Sequence, residues 1–353
     1  MKTLLKIYPK MNLGDDLFAA AISQRYPDVE FYVSSAQKYI KPLGLNNVQG
    51  KSVIKRAYDK IRYILTGHRN KIMRSDCEAE IVLGGSMFIE HKLKRDELVD
   101  EMRRLYGTSK PLFIIGANFG PFHNDFYYDE HKRVFSRAID VCFRDKYSAG
   151  LFKDLKNVRV APDILFSIKT NQYKTKSNKT VVISIINLKN RASLVKNAEV
   201  YENKMAEISE KYARDGYSVI LMSFCRKEGD EEAIERVIAK THSGKIMPYY
   251  YRGDMNEALK VLSSPEIIVG TRFHAVVLGL VFRKKLIPII YSNKTKNMLN
   301  DINYKGKMLE IDKMSDLDIS KIDDYLYEYG DVSAIGKEAE KHFEKLDKFL
   351  EEK

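Results

Sequence analysis

Short apolar runs that alternate with amphipathic stretches constrain the fold of this chain more than any other feature. Each run is rich in β-branched or aromatic residues and is bounded by Gly, Asp, Asn or Pro, as in strands that are buried on both faces. The first half contains TLLKIYP, EFYVS, EIVLGG, PLFIIGAN, VCFRD and VRVAPD, and the second half contains TVVISIIN, YSVILMSF, KIMPYYY, EIIVGT and LIPIIYS. This alternation predicts parallel sheets in an α/β architecture.

The length and the polarity of one segment predict two domains. A chain of 353 residues is long for a single core. Residues 167–182, SIKTNQYKTKSNKTVV, are polar and cannot fill a core, so they are the expected seam. We predict two Rossmann-like, doubly wound domains, residues 1–167 and 178–325, each with its ligand site at the carboxyl ends of the strands. Residues 326–353 are predicted to form an amphipathic helix that packs back across the domains.

Composition narrows the class of partner and the compartment. The net charge of +12 favours an anionic partner, but the basic residues are spread along the chain and no nucleic-acid-binding motif is present, so no nucleic acid is expected. The three cysteines have no CxxC spacing, which argues against a disulfide framework or a zinc site. No apolar stretch reaches the roughly 18–20 residues of a membrane span, and the N-terminus is not a signal peptide. We therefore expect a cytoplasmic protein.

Residues 51–75, KSVIKRAYDKIRYILTGHRNKIMRS, fit no strand. Their apolar residues share one helical stripe, and basic residues surround it with a single acid, Asp59. One interpretation is a helix packed by its stripe with a solvated basic face. The other is a surface that contacts an anionic membrane, which would place the protein peripherally at the inner face of that membrane.

Polar or glycine residues follow several predicted strands of the first half. Because the carboxyl ends of parallel strands share one edge of a sheet, these loops together form a candidate site. Glycine there allows unusual backbone angles or a close approach to a ligand, and Asp15 can cap the following helix. The candidate residues are Asn12, Gly14, Asp15, Gly84, Gly85, Ser86, Asn118 and Arg144.

The stretch VGTRFHAVVLGL, residues 269–280, places an arginine and a histidine where the chain turns from a strand into a small-residue helix. Three interpretations compete: a capped helix with incidental polar residues, an anion site, or a catalytic histidine. Thr271 is suited to cap the helix, whose first turn favours anions. Arg272 adds a planar fork that matches carboxylate or phosphate. His274, in that first turn, is an imidazole able to exchange protons near neutral pH.

Other loops of the second half supply further candidates. Tyr291 and Lys294 follow the next strand, LIPIIYS, and we expect them at the same sheet edge as His274. Asn187 and Arg191 follow the first strand of the second domain. Ordinary surface charge is expected of Lys296, Arg226 and Asp230.

Seven motifs, taken in order, resemble the polysaccharide pyruvyl transferase family: NLGDDL, VLGGSMF, GANFGPF, FRDKYS, APDILF, VGTRFHA and IIYSNK. The resemblance implies two Rossmann-like domains in a glycosyltransferase-B-like arrangement. It also implies transfer of pyruvate from phosphoenolpyruvate onto two hydroxyls of a sugar, which gives a cyclic ketal and free phosphate. The histidine that follows the arginine in the family's last motif is implicated in catalysis, and these positions are His274 and Arg272 here.

The chain departs from the family pattern at three places. Ser86 stands where a third glycine is common, and Phe273 stands where leucine is common. An arginine often ends the first strand of the second domain, where this chain has INLKNR. Either Arg191 replaces it from slightly further along, or the donor contacts differ.

The resemblance divides the candidates into two sets. The second domain is expected to hold phosphoenolpyruvate through Arg272, Phe273, His274, Arg191, Tyr291 and Lys294. The first domain, with the loop residues named above, is expected to hold a sugar or lipid-linked oligosaccharide acceptor of cell-surface polysaccharide synthesis. The chemistry requires no metal and no cofactor beyond the donor substrate.

Two alternatives stay open at this point. A nucleotide-sugar glycosyltransferase of the glycosyltransferase-B type would want an acidic residue near the helix after VGTRFH, and AVVLGLVFRKK supplies none. A non-catalytic protein that binds anionic glycans would share the positive charge and lack turnover.

Overall fold

The chain forms two compact units in a computed structural model that describes residues 1–8, 10–52, 57, 61, 76–90, 94–107, 109–173 and 177–352. Unit 1 comprises Met1–Pro9, Leu17–Ile164 and Lys337–Lys353. Unit 2 comprises Lys10–Asp16 and Leu165–Gly336. The chain thus enters unit 2 briefly near its start, leaves it, and returns after Ile164.

Unit 1 is built on a parallel sheet of seven strands in the order β3-β2-β1-β4-β5-β6-β7. The strands are β1 Lys2–Lys6, β2 Glu30–Ala36, β3 Val48–Lys51, β4 Ala79–Phe88, β5 Leu112–Phe119, β6 Asp140–Phe143 and β7 Val158–Val160. The α-helices of the first half are α1 Leu13–Arg25, α2 Gln37–Ile40, α3 Arg95–Tyr106, α4 Asp125–Phe135 and α5 Lys146–Leu151. The first turn of α1 belongs to unit 2 and the rest of α1 to unit 1.

Unit 2 repeats this plan. Its strands lie in the order β10-β9-β8-β11-β12-β13, all parallel, and β14 pairs antiparallel with β12. They are β8 Asn178–Ser184, β9 Ser218–Met222, β10 Ile246–Tyr249, β11 Pro265–Gly270, β12 Lys285–Ile290, β13 Leu309–Glu310 and β14 Tyr327–Glu328. The remaining helices are α6 Ala198–Arg214, α7 Asp230–Ile238, α8 Met255–Ser263, α9 Phe273–Val281, α10 Asn293–Asp301, α11 Ser333–Glu340 and α12 Glu344–Glu351.

Burial explains why these segments became strands. Every residue of β5 is buried, and so are Val181 to Ser184 in β8, because each central strand is covered on both faces. In unit 1, Phe119, Phe135 and Phe152 pack mutually in edge-on geometry with ring centroids 4.9–6.0 Å apart. The predicted α/β class with two doubly wound, Rossmann-like units is confirmed.

All eleven predicted strands are present, and the described part of the chain has three further strands that were not predicted: β3, β13 and β14. The first of these, VQGK, is an edge strand with a glycine and polar residues, and the other two have only two residues each. None of the three carries a continuous apolar run, so the sequence gives no periodic signal for them.

The unit boundaries differ in detail from the predicted ones. Unit 1 ends its long segment at Ile164, just before the polar stretch that was the expected seam. The predicted C-terminal helix is two helices, α11 and α12, separated by a 3-10 turn at Lys341–Phe343. From Lys337 onward this segment belongs to unit 1, where Asp347 accepts from Arg25 Nη2 at 2.7 Å and Tyr26 Oη at 2.7 Å.

We expected Gly84, Gly85 and Asn118 where their strands end, and Ser86 in the loop beyond. Instead β4 continues to Phe88 and β5 to Phe119, so all four residues lie inside strands. Gly84 and Gly85 have φ of +65° and +69°, and the β4–β5 register shifts between Gly85 and Phe88. The strand therefore continues past a local irregularity that left-handed glycines make feasible. A Cβ on Gly84 would lie 2.2 Å from the Phe18 ring, so this glycine also permits close packing.

Most of residues 51–75 lie outside the described residues, and so do the helix and the membrane contact predicted there. In the part of the chain that the structure describes, no helix has both the length and the apolar character to cross a bilayer.

The segment Lys10–Asp16 is attached to unit 2 by main-chain and side-chain hydrogen bonds. Leu13 N donates to Phe224 O at 3.0 Å, and Tyr251 Oη donates to Asp16 Oδ2 at 2.8 Å. Asp16 and Tyr251 are both buried. Burial raises the pKa of Asp16 to about 8, although the Tyr251 hydrogen bond acts in the opposite direction.

The raised pKa of Asp16 predicts a pH-dependent stability. The folded protein keeps a proton on Asp16 that the unfolded chain loses above pH 4, so the free energy of unfolding should fall as pH rises from about 4 to 8. Asp16→Asn should remove about one proton equivalent from that slope. Denaturant titrations across this pH range measure it, with the exposed Asp28→Asn as control. Equal slopes in the wild type and Asp16→Asn would contradict the prediction.

Candidate functional site

The carboxyl edge of the unit 2 sheet has its topological switch point between β8 and β11. The strand order reverses there, so the chain leaves these two neighbouring strands in opposite directions and opens a crevice where such sheets bind ligands. The segment after β8 carries Asn187 and Arg191, and the segment after β11 carries Thr271 and Arg272. The predicted site of the second half therefore lies where this fold class usually binds ligands.

The turn from β11 into α9 is held by a hydroxyl of β8. Ser184 Oγ accepts from Thr271 N at 2.8 Å and from Arg272 N at 3.1 Å. Arg272 is the N-cap residue, and its side chain makes no capping hydrogen bond. Thr271, which we expected to cap the helix, accepts instead from Tyr201 Oη at 3.1 Å, because its side chain faces the core. The dipole of α9 favours an anion at this turn.

Arg272 is buried between two carboxylates. Its Nη1 donates to Glu228 Oε2 at 2.7 Å, and its Nη2 donates to Asp230 Oδ1. Asp230, which we expected at the surface, is fully buried. Its other oxygen accepts hydrogen bonds from Phe224 N at 2.9 Å and from Cys225 N at 2.8 Å. Burial disfavours the charge of Arg272, but Asp230 and Glu228 outweigh it and raise the Arg272 pKa. The guanidinium of Arg272, which we expected to bind the donor, therefore already has two carboxylate partners within the protein.

Glu228 connects Arg272 to a second arginine. Arg191 Nη2 donates to the same atom, Glu228 Oε2, at 2.7 Å. Burial pushes the pKa of Glu228 upward, but the charges of Arg272 and Arg191 prevail and lower it to about 2. Glu228 is therefore a carboxylate at any pH near neutral.

Tyr291 lies among cations. Arg191 Cζ is 5.1 Å from its ring centroid, and Lys294 Nζ is 5.7 Å from it. Burial alone would raise the pKa of Tyr291, but Lys294, Arg191 and Arg272 together lower it. The sequence prediction that Arg191, Tyr291 and Lys294 come together near Arg272 agrees with this arrangement.

His274 occupies the first turn of α9 and is half-buried. Its ring meets Phe273 edge-on, with centroids 5.0 Å apart, and Lys294 Nζ lies 5.8 Å from the Phe273 centroid. The Gly14 backbone lies against the imidazole, since a Cβ added to Gly14 would be 1.6 Å from His274 Nδ1. Glycine is thus required at position 14 by the histidine beside it.

The segment with Asn12, Gly14 and Asp15 joins this cluster in unit 2, whereas we expected it with the first domain. Gly14 and Asp15 lie in the first turn of α1, so Asp15 is inside the helix that we expected it to cap. Asn12 Nδ2 donates to Glu228 Oε1 at 3.5 Å, and Asn12 Oδ1 accepts from Gly14 N at 3.2 Å. Asp15 is buried. These contacts explain why the segment belongs to unit 2 although β1 and most of α1 belong to unit 1.

Asn187 has a local structural contact. Its side-chain oxygen accepts from Lys189 N and from Arg236 Nη2, both at 3.1 Å, and its side chain is buried. Lys296 and Arg226 are surface residues, as expected, paired with Glu310 at 2.8 Å and Glu231 at 3.6 Å.

The remaining predicted acceptor residues form a separate network in unit 1. Asn118 Oδ1 accepts from Ser86 Oγ at 3.1 Å and from Arg144 Nη2 at 2.6 Å. Arg144 also donates to Asp163 Oδ2 at 3.0 Å, and both side chains are fully buried. A buried, paired arginine of this kind orders the ends of β4, β5 and β6. Among the described residues, no group of three or more His, Cys, Asp or Glu side chains is placed to hold a metal ion.

Glu228 was not singled out from the sequence. It follows β9 in the stretch SFCRKEGDEEAI, where four acids stand within five residues and resemble a solvated helix start. The available signal was Gly229, at φ +82°, which turns the chain between Glu228 and α7. That signal alone does not distinguish an acid directed at Arg272 from its exposed neighbours.

Known structures share the fold at low sequence identity. The UDP-GlcNAc 2-epimerase from Neisseria meningitidis bound to UDP-GlcNAc aligns with a TM-score of 0.60 and 12% identity, covering 99% of this chain and 100% of that one. Anabaena Alr3699/HepE in complex with UDP and glucose aligns with a TM-score of 0.57 and 12% identity, covering 100% of both chains. At such identity the likeness concerns the fold alone.

Sequence comparison identifies the family. The amylovoran biosynthesis protein AmsJ of Erwinia amylovora is 22% identical over 282 residues, which are 72% of this chain and 67% of that protein. The sequence model of the family described as polysaccharide pyruvyl transferase matches residues 12–293, a range that begins at Asn12 and includes Arg272 and His274. The chain belongs to the polysaccharide pyruvyl transferase family.

Proposed function

We propose that this protein transfers pyruvate from phosphoenolpyruvate onto two hydroxyls of a sugar in cell-surface polysaccharide synthesis, forming a cyclic ketal and releasing phosphate. Family membership supports a transferase, and the relative AmsJ is named for amylovoran biosynthesis. The single observation that carries the proposal is the concentration of Arg191, Lys294 and Arg272 around Tyr291, next to His274.

Phosphoenolpyruvate needs a site with at least two cationic groups, because it carries a carboxylate and a phosphate. Arg191 and Lys294 supply two such groups near the start of α9, whose helix dipole also favours an anion. Arg272 lies behind them, between Glu228 and Asp230, and we assign it the role of holding that framework in place. Tyr291 and Phe273 supply the aromatic walls that exclude water.

His274 is the candidate proton donor. Protonation of C3 of phosphoenolpyruvate makes C2 electrophilic, and an acceptor hydroxyl adds at C2 and loses its proton. Departure of phosphate leaves an oxocarbenium ion, which the second hydroxyl closes to the ketal with loss of its own proton. Of the two hydroxyl protons released, one replaces the proton that His274 gave to C3 and the other leaves with the phosphate, so His274 returns to its starting state. Positioned acid–base groups contribute typically about 10²–10⁴-fold in rate, and the cations add electrostatic stabilisation as charge develops.

Removal of the imidazole should abolish this chemistry. His274→Ala is expected to reduce phosphate release from phosphoenolpyruvate by about 10²–10⁴-fold, with unchanged thermal unfolding. The assay uses a panel of free and lipid-linked oligosaccharides as acceptors, with NMR to identify the ketal. His242→Ala, at an exposed histidine of the same unit, is the control. Near-normal turnover by His274→Ala would remove this histidine from the mechanism.

Removal of one cation from the proposed donor site should weaken donor binding. Arg191→Ala is expected to weaken phosphoenolpyruvate binding by roughly 10- to 100-fold in calorimetry, because a hydrogen bond to a charged group contributes about 1.5–3 kcal/mol. Arg226→Ala, whose side chain is 68% exposed, should bind the donor as the wild type does. Equal affinities of both variants would contradict the placement of the donor at Arg191. A panel of UDP-sugars in the same titration tests the glycosyltransferase alternative.

The contact between Gly14 and His274 gives a separate test. Gly14→Ala places a methyl group on the imidazole, so the ring must move. A displacement near 1 Å at a reacting group can cost about 10²-fold in rate, so kcat should fall much more than donor affinity. Gly150→Ala is a suitable control, because a Cβ there meets nothing within 4 Å. Unchanged kcat in Gly14→Ala would show that the ring position is not limiting.

A further inference from the structure

Glu228 occupies the position that two arginines offer to an anion. One of its oxygens, Oε2, accepts from Arg272 Nη1 at 2.7 Å and from Arg191 Nη2 at 2.7 Å. Two guanidinium groups that converge on one oxygen are a common way to bind a carboxylate or phosphate. In this chain a side chain of the protein provides that oxygen.

The two carboxylates of the cluster differ in how firmly they are held. Asp230 is fully buried and accepts two main-chain N–H bonds in addition to its bond with Arg272, so it belongs to the framework. Glu228 retains 27% side-chain exposure and lies at the end of the one-turn 3-10 segment Arg226–Glu228. Its other oxygen is in a long contact, 3.5 Å, with Asn12 Nδ2.

Arg191 is the more exposed of the two arginines. Its side chain is 31% exposed, compared with 8% for Arg272. Arg191 also borders Tyr291, whose ring is shared with Lys294. An incoming anion can therefore take Arg191 from Glu228 without disturbing the bond between Arg272 and Asp230.

We propose that Glu228 sets the affinity of the donor site for anions: its carboxylate competes with every ligand for Arg191, so that a ligand needs a second anionic group to bind well. This inference rests on the proposed function for the identity of the donor. The proposed role of Glu228 is separate from acid–base chemistry and from acceptor binding.

The need for a second anionic group follows from counting charges. A monocarboxylate such as pyruvate replaces one carboxylate on Arg191 by another and still faces the negative charge of Glu228, so it gains little. A ligand with both a carboxylate and a phosphate can place its second group near Lys294 and the start of α9. This second contact adds binding energy that a monocarboxylate cannot obtain. Opposite charges in contact near a protein surface attract strongly, so Glu228 is a strong competitor for Arg191.

The test compares binding of three ligands, phosphoenolpyruvate, pyruvate and inorganic phosphate, by calorimetry. Glu228→Gln keeps the shape of the side chain and removes its charge. We expect phosphoenolpyruvate, pyruvate and inorganic phosphate each to bind Glu228→Gln about tenfold more tightly than they bind the wild type, because each must take Arg191 from Glu228. Glu231→Gln is the matched control, because Glu231 pairs with Arg252 and Arg226 outside this cluster. It should leave all three affinities unchanged.

A double variant assigns the gain to the right cation. In Glu228→Gln with Arg191→Ala, the improved binding of pyruvate and phosphate should disappear. If it persists, competition for Arg191 is wrong. If Glu228→Gln, with a wild-type unfolding temperature, binds the three ligands equally or more weakly than the wild type, Glu228 only positions the arginines and the proposal is overturned.

Failure of the proposed function gives a different result. A wild-type protein that binds phosphoenolpyruvate no more tightly than pyruvate would refute the donor assignment. The inorganic phosphate titrations of wild type and Glu228→Gln would still decide whether Glu228 competes with anions at Arg191.

Discussion

The bonds of Arg272 to Glu228 and Asp230 are the interaction on which the rest of the site depends. A guanidinium this deeply buried is stable only if its N–H groups are bonded to charge, and removal of one partner from such a set leaves an uncompensated charge inside the protein. The chain therefore brings the end of β9 and the start of α9 together around one side chain. Arg191, Tyr291 and Lys294 are placed relative to that anchor.

Much of the architecture could be predicted from sequence, because parallel strands covered on both faces leave a strong local signal. The apolar runs are long, rich in β-branched residues and bounded by Gly, Asp, Asn or Pro, and each of them forms a strand. The failures have physical causes. The edge strand β3 has little apolar content, and β4 continues through Gly84 and Gly85 because left-handed glycines accommodate an irregular stretch without ending the pairing. Composition alone favours a turn at such a pair.

The individual residues of the candidate site could be predicted from sequence more readily than the contacts between them. The likeness of VGTRFHA to the family motif, with its position after a strand, pointed to Arg272 and His274, and IIYSNK pointed to Tyr291 and Lys294. What Arg272 bonds to could not be foreseen, because its partners Glu228 and Asp230 are more than forty residues away in sequence. Long-range pairs between charged side chains leave no periodic pattern. Arg144 shows the same limitation, since the sequence did not indicate its buried pair with Asp163.

The assignment of Lys10–Asp16 to unit 2 has a consequence for how this enzyme family can be divided or recombined. A fragment that starts after Ile164 would contain Arg272 and His274 but would lack the peptide that supplies Asn12, Gly14 and Asp16. Such a fragment would expose the surface around Tyr251 to water and leave one side of the imidazole uncovered. A chimaera that takes its C-terminal half from a relative therefore needs the relative's short N-terminal peptide as well. The two segments act as one discontinuous module.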